Sequence, residues 1–109
     1  MREISLNDLT NNGEVRNLSG HERGRAARVS YHLDDADRVD EVVRVIVPDD
    51  IYSITSSFFQ GMFSESVRKA GNREGFLKRF EFDAPPVVLR QIERGIEASL
   101  MRRGSILAA

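Results

Sequence analysis

Cysteine is absent from the 109-residue chain, which excludes a disulfide framework, a thiolate metal site and a cysteine nucleophile. Tryptophan is absent as well, and His21 and His32 are the only histidines. That leaves little material for a zinc site or an imidazole base. No apolar run approaches the roughly 18 residues that a membrane span needs. The opening MREISLNDLT lacks a signal-peptide core, so the expected location is cytoplasmic, with no membrane partner. Charge of one sign is also missing. Lys and Arg number 16 against 17 Asp and Glu, for a net charge of −1, which argues against bulk electrostatic binding to nucleic acid. No G-x-S-x-G, H-E-x-x-H or phosphate-loop pattern occurs. The acidic runs Asp34-Asp35-Ala36-Asp37 and Asp49-Asp50 lack calcium-site spacing. No cofactor and no metal site are expected.

What is present describes one small globular domain. The chain is 40% hydrophobic and 30% charged, and at this length it buries roughly 65% of its unfolded surface. Charge is uneven along it. Residues 1–50 hold 7 basic and 11 acidic side chains, and residues 51–109 hold 9 and 6. Such asymmetry suits head-to-tail self-association, including a homodimer, or a partner's electrostatic footprint. Solvated faces around a core are the plainer explanation.

Pattern gives the order (β)–α–β–α–β–α. Residues 1–6 suit a short edge strand. Asn11-Asn12-Gly13 signals a turn. Ser19 to about Leu33 reads as a helix opened by a Ser19/Glu22 capping box, with Ala26, Val29 and Leu33 inward. Asp34 to Asp37 read as the solvated loop that ends it. Val42–Val47, VVRVIV, is the clearest strand, apolar enough to be covered on both faces. Residues 57–70 form a helix with Phe59, Met62, Phe63, Val67 and Ala70 buried, stopped at Gly71-Asn72. Residues 76–82 read as a strand with Phe76, Phe80 and Phe82 on one face. Pro85-Pro86 starts the last helix, 87–103, whose inner face is Val88 or Leu89, Ile92, Ile96 and Leu100. Gly104 ends it, leaving 105–109 as a disordered tail beyond a single domain at 1–104. The fold class is α/β: a small mixed sheet with a parallel βαβ core, flanked by about three helices.

In open α/β sheets ligands gather beyond the carboxyl ends of the strands. Here that place is the segment 48–57, PDDIYSITSS, which runs into a helix N-terminus. Ser53, Thr55, Ser56 and Ser57 put four hydroxyls there. Either one of these serines takes a phosphate, or the loop contacts a phosphate-bearing partner, or Ser56 or Ser57 merely caps the helix. A phosphate would add roughly −1.5 to −2 charges, welcomed by the helix and repelled by Asp49 and Asp50. Phe58 and Phe59 are adjacent, so one ring is a candidate partner contact. Arg68, Lys69, Arg73, Lys78 and Arg79 form a modest basic cluster near Phe76 and Phe80.

Taken together, Gly24-Arg25-Ala26-Ala27-Arg28, the strand Val42–Val47, Ile54-Thr55-Ser56-Ser57-Phe58-Phe59 with Gly61-Met62-Phe63, and Phe80-Glu81-Phe82 before the last helix give the chain a likeness. From about Gly20 to Arg103 it resembles the STAS-like domains of unknown function, relatives of bacterial anti-sigma-factor antagonists. The resemblance implies a small sheet flanked by helices, no catalytic activity, and a regulatory role as the partner of a protein such as a histidine-kinase-like ATPase. In the antagonist relatives a serine at the start of the corresponding helix is phosphorylated to switch partners, and that position falls on Ser56 or, failing that, Ser57. The family often has Asp at the end of the strand and Gly two or three residues later. This chain has Val47 and Asp50 there, with Pro48 between.

The expected function is therefore a non-enzymatic regulatory or adaptor module. It would bind a protein partner through residues 48–60, with Asp49, Asp50, Ser53, Thr55 and Phe58 in contact and Ser56 or Ser57 as the switch. The alternative is a small inhibitor or accessory protein from a mobile element, whose charged faces block a protein or nucleic-acid machine.

Overall fold

The computed structural model describes residues 2–10 and 14–108, with side chains described through Met101. The expected Asn11–Gly13 turn lies outside the described residues. The chain runs β1 (Arg2–Ser5), a 3₁₀ turn (Leu6–Leu9), β2 (Asn17–Leu18), α1 (His21–Ser30), α2 (Leu33–Arg38), β3 (Val43–Ile46), β4 (Ser53–Ile54), α3 (Ser56–Ala70), α4 (Arg73–Arg79), β5 (Phe80–Asp83) and α5 (Pro86–Ala108). No helix among the described residues is long and apolar enough to cross a membrane.

The fold is α/β. Two sheets form, one of order β1-β3-β5 and one of order β2-β4. Every ladder is parallel, with Ile4 opposite Val45 and Val45 opposite Phe82 in the larger sheet. β3 is the central strand, as its β-branched run predicts, and β1 is an edge.

β3 is covered on one face only. Val43, Val45 and Val47 are buried, whereas Arg44 is exposed. On that open face Glu3, Arg44 and Glu81 stand in register across the three strands. Arg44 Nη2 lies 3.2 Å from Asp83 Oδ2. The expectation of cover on both faces is corrected here. An arginine at the centre of the run takes its neighbours' carboxylates and leaves that side to solvent.

Against the inner face packs α3, carrying Phe58, Phe59, Met62, Phe63 and Val67, all buried. α3 lies between α1 and α5. Phe76 stacks on Phe80 at 4.8 Å between centroids, and Phe63 meets Phe80 edge-on at 5.5 Å. Phe76 belongs to α4, not to a strand, so the expected strand 76–82 shortens to β5. The Asn72 side chain caps α4 by accepting a hydrogen bond from Gly75 N at 2.7 Å, while Gly71 ends α3 with φ +85°. α5 starts at Pro86 and buries Val88, Ile92 and Ile96, as the spacing predicts. Its helical backbone continues through Gly104 to Ala108, past the expected stop.

Three further expectations change at the N-terminal half. α1 is preceded by Gly20 at φ +94° with no side-chain cap, so the Ser19/Glu22 capping box does not form. Its buried residues are Gly24, Ala27 and Arg28, and Val29 is 70% exposed. Asp34 to Asp37 are not a loop but most of α2, in which Leu33, Ala36 and Asp37 are buried.

Candidate functional site

The carboxyl end of β3 leads into a built corner. Val47 N donates to Asp83 O at 2.8 Å, which ties the strand's exit to β5. Pro48 follows and supplies no donor. Ile51 N donates to Pro48 O at 3.0 Å, closing a turn that leaves Asp49 and Asp50 exposed. Ile51 is fully buried beneath it. The chain then extends as β4, with Tyr52 N donating to Arg16 O and Thr55 N to Leu18 O. Gln91 of α5 holds the same strand through Oε1, 2.7 Å from Ile54 N. The corner is therefore fastened to β2, β5 and α5.

Within this frame Tyr52 stands out, with 60% of its surface exposed between buried Ile51 and half-buried Ser53. Thr55 is the cap of α3, its Oγ1 accepting from Phe58 N at 3.2 Å. The expected cap at Ser56 or Ser57 is corrected. The β-extended geometry of the N-cap falls one residue earlier, where Thr55 ends β4. Ser56 and Ser57 are the first helical residues, both exposed. Ser56 Oγ accepts from Gln60 Nε2 at 3.0 Å. The structure thus brings Asp49, Asp50, Ser53, Thr55, Ser56 and Ser57 to one corner.

Phe58 is different. It is 2% exposed and belongs to the core, so it is not an exposed partner contact. It instead reaches the floor of a groove beside α1. Phe58 and Phe59 both face inward because α3 is covered by α1 on one side and by α5 on the other. A helix between two helices has room for adjacent large residues on its buried arc.

The basic cluster on α3 and α4 is largely engaged. Arg73 forms a two-point pair with Glu93 at 2.6 and 2.7 Å. Those hydrogen bonds raise the arginine pKa and hold Glu93 below its ordinary value. Arg79 reaches Asp37 Oδ1 at 2.8 Å and the carbonyls of Ala36 and Glu41. Lys69 donates to the Asp37 carbonyl and to Asp40 Oδ1. The expected neighbours Phe76 and Phe80 are fully buried. This side of the molecule is an ionic seam that joins α1, α2, α3 and α4.

At the centre of that seam Asp37 accepts from Arg28 Nη2 at 2.6 Å, from Ser66 Oγ at 2.7 Å and from Arg79. Burial pushes its carboxyl pKa up, but the hydrogen bonds from Arg79, Arg28 and Ser66 outweigh that and hold it below the ordinary value. No buried side-chain donor or acceptor among the described residues lacks a partner. Sequence reading missed this cluster. The signal available was Leu33, Ala36 and Asp37 at helical spacing, with Leu33 opening a turn.

His21 and His32 are both exposed. No group of three or more His, Asp or Glu that could hold a metal ion occurs among the described residues. Comparison of the chain with protein-family models, with curated proteins and with solved structures finds no match.

Proposed function

We propose that this chain is a non-enzymatic regulatory or adaptor module, STAS-like in kind, that binds a protein partner through residues 48–57. The observation that carries the reading is Tyr52. Its ring is presented at the carboxyl end of the central strand, on a segment pinned by buried Ile51 and by the hydrogen bond from Ile54 N to Gln91. Tyrosine on a rigid frame is a favoured interface anchor, because a large area is buried for little lost side-chain freedom. Asp49 and Asp50 beside it favour a partner that brings basic side chains to the rim. A histidine-kinase-like ATPase is the partner class that the resemblance implies, and a cytoplasmic site of action goes with it. Ser56 and Ser57 are the switch positions in this reading. A phosphate on either would sit at the start of α3, where it suits the helix dipole, at the end of the docking segment itself.

The test is affinity capture from the native host with wild-type, Tyr52→Ala and Asp49→Lys/Asp50→Lys baits, followed by titration of the purified captured protein. The reading expects a partner lost with Tyr52→Ala and weakened by Asp49→Lys/Asp50→Lys. Equal affinity for all three baits would overturn it.

A further inference from the structure

The larger sheet ends at β1 on one side and at β5 on the other. The two edges are not alike. In a parallel ladder only every second residue of a strand bonds to a given neighbour. Arg2 N donates to Val42 O at 2.9 Å, so Arg2 and Ile4 turn their backbone groups to β3 and Ser5 turns its own outward. That outward Ser5 carbonyl accepts the Tyr31 hydroxyl at 2.8 Å. The Arg2 guanidinium reaches the carbonyls of Tyr31 and His32 at 3.1 and 3.0 Å. The junction of α1 and α2 therefore guards the β1 edge.

Nothing equivalent guards β5. Val47 N donates to Asp83 O at 2.8 Å, so Glu81 and Asp83 are the residues whose backbone groups meet β3. Phe82 then points its N–H and C=O away from β3, and no described residue bonds to either. Phe80 N is taken by Phe76 O, where α4 ends. An open row of this kind is a template for one more strand. The side chains decide which strand fits. Glu81 and Asp83 are exposed on the outer face, and Glu81 forms no ion pair with any described residue. Phe82 lies on the inner face, half-buried, its ring 5.4 Å from that of Phe63 at the margin of the aromatic cluster. A second β5 fits badly. Antiparallel pairing about a two-fold axis at Phe82 would set Glu81 of each copy opposite Asp83 of the other, and like charges directly opposite are destabilising. The same two carboxylates favour a strand that brings cations.

We propose that the free edge of β5 takes up an extended segment of another protein as an added strand, a segment in which basic residues alternate with apolar ones. Its backbone pairs with Phe82, its basic side chains lie beside Glu81 and Asp83, and its apolar ones continue the inner face next to Phe82. The edge lies outside residues 48–57, so the proposal stands or falls independently of the docking reading at Tyr52.

The probe is the capped peptide VKVKVKV, titrated into the full chain and followed by NMR and by amide hydrogen exchange. In the free chain the Phe82 amide should exchange much faster than those of Glu81 and Asp83, which β3 holds. The peptide should bind saturably, with shifts centred on residues 80–84, and slow Phe82 exchange by about tenfold or more. The peptide VEVEVEV should bind about tenfold more weakly, the scale of two cross-strand charge pairs changing sign. Glu81→Gln/Asp83→Asn, at two exposed positions, should remove that preference while the melting temperature holds. Two further peptides carry N-methyl groups on all the valines or on all the lysines. Both keep the charges, but one lacks the amide hydrogens that face β5, so at most one should bind. Four results would each overturn the proposal: a Phe82 amide as protected as that of Glu81 in the free chain, no saturable binding of VKVKVKV, a preference that survives Glu81→Gln/Asp83→Asn, or binding by both N-methylated forms. A dimer of the chain that protects Phe82 without peptide would overturn it as well, by making a second copy the occupant.

Discussion

Gly24 and Gly61 each lie against the backbone carbonyl three residues before the other. A Cβ on Gly24 would stand 2.2 Å from Phe58 O, and a Cβ on Gly61 would stand 2.1 Å from His21 O. The reciprocity sets how closely α1 approaches α3. Neither obstacle is the movable end of a side chain, so a methyl at either position must push the helices apart. Gly24→Ala and Gly61→Ala are each expected to cost about 2 kcal/mol, the middle of the range for overpacking, despite the better helix propensity of alanine. Once one methyl has separated the helices, the second meets less resistance. The double variant should therefore cost less than the sum, by about 1 kcal/mol or more. Urea unfolding of the two single variants and the double variant checks both statements, and strict additivity would show that the two contacts are independent.

Arg28 and Asp37 are both buried, with side chains 6% and 10% exposed. Removing one member of such a pair strands the other's charge. Asp37→Asn is expected to cost about 3 kcal/mol at neutral pH. The pH dependence has a definite sign. Asp37 has its folded pKa below the unfolded value, so the fold binds the carboxylate form preferentially. Its contribution is complete above the unfolded value, near pH 3.9 for an ordinary aspartate. It fades as the pH falls below that value toward the folded pKa. The stability gap between wild type and Asp37→Asn should therefore narrow as urea titrations are moved from pH 7 to pH 3. A gap that stays constant would show that Asp37 does not titrate differently in the two states.

Tyr31 carries the opposite dependence at the other end of the scale. Its hydroxyl donates to Ser5 O at 2.8 Å. Burial, with a smaller repulsion from Asp8, pushes its pKa up to about 12. The folded chain thus prefers the neutral phenol. That contribution is present below the unfolded value, near pH 10, and is lost as the pH rises through that value toward about 12. Wild type should lose stability over that interval more steeply than Tyr31→Phe. Denaturant titrations at pH 9 and at pH 11 provide the comparison, and parallel losses in the two proteins would refute it.

β3, α3 and the inner face of α5 were legible because each is a run of one period. The apolar residues named for α3 and α5 pack inward, but β3 leaves its Arg44 face open, Phe58 joins the core and α5 continues past Gly104. The strand expected at 76–82 failed for a particular reason. Phe76 and Phe80 are four apart, which suits a helix face as well as one side of a strand, and Phe82 then extends the even spacing. Asn72 decides the matter by capping α4, a role hidden when Gly71-Asn72 is read only as a stop. The inner face of α1 failed because hydrophobicity is a poor guide where backbone contact and an ion pair hold the helix. Gly24 and Arg28 face inward, and Val29 faces out. In the 48–57 corner the segment's place between β3 and α3 and its hydroxyl row were readable. Tyr52 was not singled out, although Ile51 and Ile54 on either side of it are the positions that an inward-facing segment would bury.

Thr55, rather than either serine after it, satisfies the free backbone donor at the start of α3. Thr55→Ala is expected to lower stability by about 1 kcal/mol. Ser56→Ala and Ser57→Ala, which remove exposed hydroxyls from the first turn, are expected to stay within about 0.5 kcal/mol of wild type. Thermal unfolding of the three variants separates the cap from the switch candidates, and a larger loss at Ser56 or Ser57 than at Thr55 would move the cap.

Phe58, the expected partner contact, is core, and the exposed ring nearby in sequence is Tyr52, a difference that can be measured on one pair of variants. Phe58 is 2% exposed, so Phe58→Ala leaves a cavity under the groove and should cost about 3 to 5 kcal/mol. Any loss of partner capture by that variant is a consequence of unfolding, and it should recover as the temperature is lowered. Tyr52 is 60% exposed, so Tyr52→Ala should change stability by less than about 0.5 kcal/mol. If the ring is the docking anchor, its removal should weaken partner binding by about 2 kcal/mol, roughly thirtyfold in affinity. Tyr52→Phe keeps the ring and should retain most of the affinity. A Tyr52→Ala variant that is as stable as wild type and binds the partner equally well would remove the 48–57 corner from the interface, because the ring is its largest exposed apolar surface.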